Sequence, residues 1–118
     1  MSIIVNIALA TLCIIGDGSE KCYPVLIGKD TPAGEYQLQH RFVESPGYGG
    51  DVLQFKEEEL DIFAIHRVWL LRPQEKREER LKSTNPKMRR ITKGCINVDP
   101  AVYDELIDCC SNSKLTIE

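Results

Sequence analysis

Apolar positions along this chain come in short runs broken by glycine, proline and charge, a rhythm of strands rather than of long helices. Residues 3–15 and 21–27 are rich in Ile, Val and Leu and bracket Asp17-Gly18. That pair favours a two-residue turn, so the segment predicts a β-hairpin. After a Gly/Pro loop, alternation through Tyr36 and Leu38 predicts one strand ending near Val43. Residues 44–51 hold three glycines and a proline and predict a loop. Residues 60–71, "LDIFAIHRVWLL", make the strongest strand. Ile62, Ala64, His66, Val68 and Leu70 share one face, and Phe63, Ile65, Arg67, Trp69 and Leu71 share the other. Apolar residues dominate both faces, which predicts a central strand covered on both sides.

Helical signals come later. Pro73 can open a short helix with Glu78 and Lys82 spaced i,i+4, and Asn85-Pro86 stops it. "GCINV", residues 94–98, predicts a short strand entering Asp99-Pro100, where Asp99 caps a helix and Pro100 begins it. Val102, Leu106 and Cys110 then line one helical face. Residues 111–114 turn, and 115–118 predict a last strand at a sheet edge. The sum is a mainly β fold with one or two short helices, in a single domain spanning residues 1–118. The apolar opening has no preceding Lys or Arg and is interrupted by Asn6, so it reads as the first strands and not as an export signal. No run reaches the roughly 18 apolar residues of a membrane span.

Charge changes the picture locally. The net charge is −3, which argues against a nucleic-acid partner. Yet residues 72–93 hold nine of the fifteen Lys and Arg and three acids. This basic insertion is either a face for an anionic ligand or a solvated excursion. Five cysteines leave at least one thiol over. Cys13 and Cys22 fall opposite each other if Asp17-Gly18 turns the hairpin. They are read as two small buried thiols, with a disulfide within reach of the same register. Cys109 and Cys110 are expected to pack on the last helix rather than react. No Cys-x-x-Cys pair exists, so no metal or other cofactor is expected.

Cys95 is the residue with most chemical potential. An isolated thiol, pKa ~8.5, is mostly protonated at neutral pH and needs a base or positive surroundings to react. Arg89, Arg90 and Lys93 lie just upstream. His66 sits on the strongest strand, where an imidazole among apolar neighbours requires a partner. Gly94 permits unusual torsions and close approach of a substrate, and backbone N–H groups beside it can face an oxyanion. From the residues alone, His66 is equally a hydrogen-bonded core histidine and Cys95 a small buried hydrophobe.

Three blocks add a resemblance. "ITKGCINVDPAVYDEL" resembles the catalytic-domain signature of the L,D-transpeptidase (YkuD-like) family, with Thr92, Lys93, Gly94, Cys95, Ile96 and Asn97 in the conserved-type block. "PVLIGKDTPAGEYQL" is similar to that family's Gly…Thr-Pro-x-Gly loop, through Gly28, Thr31, Pro32, Gly34 and Tyr36. "FAIHRVW" resembles its histidine strand. The resemblance implies a β-sandwich or barrel and a cysteine-dependent acyltransferase acting on peptidoglycan stem peptides, by transpeptidation or L,D-carboxypeptidation. It implies catalytic roles for Cys95, His66 and Gly94, and substrate contacts from Thr92, Asn97, Lys93 and Arg67. It further implies action in the periplasm or cell wall. A catalytically inactive peptidoglycan-binding module of the same fold is the alternative. The chain departs from the family pattern at Arg67, usually Gly, at Lys93, often His, and in the longer spacing between His66 and Cys95. These departures bear on acceptor choice and carboxylate recognition more than on the nucleophile.

Overall fold

A computed structural model describes residues 1–44 and 47–118. Part of the predicted loop at 44–51, Ser45 and Pro46, lies outside the described residues. The first apolar run folds as two strands rather than one, β1 (Ser2–Asn6) and β2 (Thr11–Gly16). Asn6 breaks it: its Oδ1 accepts the Leu9 N–H at 2.9 Å and turns the chain. The predicted hairpin then forms between β2 and β3 (Ser19–Pro24), with Gly16 paired to Ser19 and Gly18 at φ +70°. β4 (Ile27–Gly28) follows. The strand expected to run to Val43 divides at Leu38 into β5 (Gly34–Gln37) and β6 (Gln39–Phe42). Leu38 is fully buried and donates its N–H to the Ser113 carbonyl, and the two halves join different sheets. No expectation covered β7 (Asp51–Glu57), whose alternation is broken by a bulge between Gln54 and Lys56.

β8 (Ile62–Arg67) is the predicted central strand, though it stops four residues short of Leu71. Its cover is limited to the middle: Ile62, Leu70 and Leu71 are about half exposed. Beyond it come a 3-10 turn (Pro73–Glu75), α1 (Arg77–Leu81), a second 3-10 turn (Pro86–Arg89) capped by Asn85, β9 (Arg90–Thr92) and β10 (Ile96–Val98). α2 (Pro100–Cys110) begins as expected, with Asp99 accepting the Ala101 N–H, and β11 (Lys114–Ile117) ends the chain.

One sheet runs β3-β2-β1-β11-β5, a second β10-β8-β7-β6, and β4 pairs with β9. β11 is therefore interior, parallel to β1 and antiparallel to β5, and not the edge strand expected. Its alternating burial is the same pattern an edge strand shows, so side chains could not distinguish the two places. The core lies between the sheets. Ile3, Val5, Leu12 and Ile14 meet Leu53, Ile65, Ile96 and Val98, with Val102, Tyr103 and Leu106 of α2 packed among them. Each such side chain contributes about 1.5–3 kcal/mol on burial. The fold is mainly β, a sandwich with short helices, as the sequence implies.

β8 and β10 are parallel, and parallel neighbours need a crossover of about a dozen residues or more. The basic insertion is that crossover. Arg89 fastens it: the buried guanidinium donates to the carbonyls of Leu9 and Ala10 across the chain and to that of Ser83 within the insertion. Cys13 and Cys22 are directly paired and joined as a disulfide, with Cys22 exposed, which corrects the reading of two buried thiols. Cys109 and Cys110 are bonded to each other, with Cys110 buried and Cys109 exposed. Four sulfurs are thereby spent, and Cys95 is the free thiol. No described helix is long and apolar enough to cross a membrane.

Candidate active site

Side chains alternate along β8 and β10, and this alternation builds the site. Ile65, Ile96 and Val98 point into the core. His66 and Asn97, paired across the parallel strands, turn to the other face, and Cys95 precedes Ile96 on that same side. A cavity of about 320 Å³ is lined by both His66 and Cys95, together with Thr92, Lys93, Arg72 and Arg77. On the other flank both residues line a second space of about 310 Å³ with Tyr48 and Ala64. Histidine and thiol thus meet the same open space, and Cys95 is partly exposed.

The state of each group follows from its neighbours. His66 is 3% exposed, and Tyr48 stands edge-on to its ring at 4.5 Å between centroids. Its Nδ1 lies 2.7 Å from the Arg67 carbonyl, which can only accept, so Nδ1 carries the proton. Nε2 is then the basic nitrogen, 3.4 Å from the Asn97 side-chain amide. Burial pulls the imidazole pKa down to about 4, and the Arg77 charge pulls the same way against the hydrogen bond to Arg67. Burial pushes the Cys95 thiol up, with Asp61 adding to the rise, while the Ala64 backbone hydrogen bond and Arg77 oppose it. At neutral pH the pair is thiol and imidazole, not thiolate and imidazolium. The resting thiol donates to the Ile62 carbonyl at 3.6 Å.

The loop carrying the thiol is held from below. Thr92 Oγ1 donates to the Cys95 carbonyl at 2.7 Å and accepts the Gly94 N–H at 3.2 Å. Thr31 Oγ1 donates to the Gly94 carbonyl at 3.1 Å and accepts the Gly28 N–H at 2.9 Å. Gly28 and Gly94 are required by contact. A Cβ on Gly28 would fall 1.9 Å from the Thr92 carbonyl oxygen, and one on Gly94 2.5 Å from the Phe63 ring. Thr31 was seen only as part of the Thr-Pro-x-Gly block, so its support of the cysteine loop comes from the structure.

The remaining expected residues divide. Asn97 is fully buried beside His66. Lys93 is exposed and lines the His66–Cys95 cavity as well as a space of about 500 Å³ where Cys95 meets Asp30, Glu58 and Asp61. Arg67 is not brought to the pair. It lies on the core side of β8, bonded to Asp51 at 2.7 Å and stacked 4.2 Å over the Tyr103 ring. Asp51 also takes hydrogen bonds from His40 and Tyr103. Its burial raises the carboxyl pKa, yet the bonds from His40, Arg67 and Tyr103 outweigh it and hold the group below the usual range. Two contributors went unseen in sequence, Tyr48 and Arg77. No local signal marks Tyr48 in its glycine-rich loop, and nothing separates Arg77 from the other cations of the insertion.

No protein-family model matches the chain, and no curated protein matches it by sequence. Solved structures do. An L,D-transpeptidase from Stackebrandtia nassauensis superposes with a TM-score of 0.64 at 13% identity, over 99% of this chain and 54% of that one. L,D-transpeptidase 1 of Mycobacterium tuberculosis gives a TM-score of 0.59 at 13% identity, over 98% and 60%. The helical cell shape determining protein Pgp2 of Campylobacter jejuni gives 0.63 at 16%, over 98% and 46%. The chain spans about half the length of these structures. At such identities the likeness carries the architecture, and by its architecture this chain has the fold of the L,D-transpeptidases.

Proposed function

We propose that the protein is a cysteine-dependent L,D-transpeptidase, or L,D-carboxypeptidase, acting on peptidoglycan stem peptides through a thioester. The observation that supports this most is the one free thiol among the described residues opening onto the same cavity as a neutral imidazole on the adjoining parallel strand. In the proposed reaction the Cys95 side chain turns from Ile62 toward His66, and Nε2 takes its proton as sulfur attacks. The target is the carbonyl between the third stem residue and the terminal D-Ala. The Cys95 N–H, in the loop that Gly94 shapes, holds the oxyanion. The C–N bond then breaks, and His66 returns the proton to the departing D-Ala nitrogen. An amine or water attacks the thioester next, loses its proton to His66, and the C–S bond breaks to regenerate the thiol. No step needs a metal or organic cofactor.

Substrate contacts follow the charges. Lys93 and Arg72 face the shared cavity and suit the carboxylates of a stem peptide, whereas Arg67 is engaged elsewhere. Thr92 and Asn97 serve by holding the loop and the ring rather than by meeting substrate. Two disulfides suit an oxidising compartment, in keeping with action in the periplasm or cell wall. Purified sacculi incubated with the protein and then digested to muropeptides test the reading. Loss of tetrapeptides, with L,D-cross-linked, exchanged or tripeptide products, is expected. Bound protein with unchanged muropeptides would favour an inactive binding module instead.

A further inference from the structure

The crossover from β8 to β10 does more than return the chain. It brings one cation beside the base. Arg77, the first residue of α1, has a side chain only 10% exposed, and its Nε is paired with Glu75 at 3.1 Å. Its guanidinium lies 5.0 Å over the Trp69 ring. Nη1 donates to Asn97 Oδ1 at 2.9 Å, and the same oxygen accepts the Trp69 backbone N–H at 3.2 Å. Two donors on one face of an amide fix which way it points. The oxygen must face Arg77 and Trp69, so the NH₂ must face His66 Nε2. An NH₂ opposite a ring nitrogen requires that nitrogen to be unprotonated. The Arg67 carbonyl at Nδ1 requires the proton on the other side.

We infer that Arg77 is a positioning residue for the base: by fixing the Asn97 amide with its NH₂ toward His66 Nε2, it reinforces the tautomer that the Arg67 carbonyl selects at Nδ1 and keeps Nε2 free of its proton. This rests on the proposed role of His66 and names the group that tunes it. The positive charge has a second consequence. Within reach of the ring, it disfavours imidazolium and so favours passing the proton on to the leaving nitrogen. Arg77 belongs to the crossover, so the insertion acts on the base through Asn97 as well as lining the shared cavity. A lysine at 77 would keep the charge but lose the planar fork that pairs with Glu75 and Asn97 together.

The test is the imidazole nitrogen NMR spectrum of ¹⁵N-histidine protein across pH, with His40 assigned through His40→Gln. Wild type is expected to show His66 as one neutral tautomer, protonated at Nδ1, with a protonation midpoint far below that of an ordinary histidine. In Arg77→Met the two tautomers should mix and the midpoint should move up. In Arg77→Lys the midpoint should stay low while the tautomers mix. Acylation of Cys95 by a carbapenem should slow about tenfold to a hundredfold in Arg77→Met. If Arg77→Met does not fold, the tautomer ratio of Arg77→Lys decides alone. An unchanged tautomer and midpoint in the variants would overturn the inference, whatever the loss in thermal stability. A tautomer shift in a protein that never acylates would instead leave the inference standing and sink the transpeptidase reading.

Discussion

Gly94 holds the cysteine loop against the Phe63 ring of β8. Its carbonyl is held by Thr31 and its N–H by Thr92, so the loop cannot slide away from the Phe63 ring. A methyl group there would sit 2.5 Å from that ring. Gly94→Ala should therefore cost about 1–3 kcal/mol by overpacking and cut Cys95 acylation more than stability alone explains. Trimming the ring in Gly94→Ala/Phe63→Leu should restore part of the rate, followed by intact mass against time. No recovery would mean that the loop position does not depend on this contact. At this scale much of the candidate site was legible. The thiol, the glycine before it and the histidine could be named because each is chemically distinctive and sits in a short block. Arg77 and Tyr48 could not, since their importance comes from which strands become neighbours. Arg67 differs: alternation already set it on the face opposite His66, and the structure engages it there with Asp51 and Tyr103.

Elements show the same limit in another form. Hairpin β2–β3 and helix α2 were readable because Asp17-Gly18 and Asp99-Pro100 carry their instructions locally. β7 escaped because a bulge breaks its alternation, and β11 was misplaced because pairing partners leave no mark on a strand's own pattern. The basic run read either as a face for an anionic ligand or as a solvated excursion. Much of it is structural instead: Arg89 and Arg90 donate to carbonyls of the β1–β2 turn, and Arg80 to those of Glu75 and Met88. Arg89→Met should leave the Leu9, Ala10 and Ser83 carbonyls without that donor and cost about 2–3 kcal/mol. Urea unfolding would measure it. A midpoint equal to wild type would show that the crossover is not fastened there. Hydrogen exchange should also rise in residues 83–92 before the rest of the domain.

For the molecule as a whole, the two sheets supply the stability and the face of β8 and β10 away from the core carries the candidate site. Disulfide Cys13–Cys22 closes the outer hairpin of the five-stranded sheet, leaving Cys95 as the thiol available for reaction. The central claim is that this sulfur is an activated nucleophile served by His66. Intact mass after exposure to a carbapenem tests it most directly, using wild type, Cys95→Ala and His66→Gln. The account predicts one covalent adduct on wild type, none on Cys95→Ala, and formation slowed about a hundredfold or more on His66→Gln. An unmodified wild type, or an adduct that survives the loss of Cys95, would contradict it.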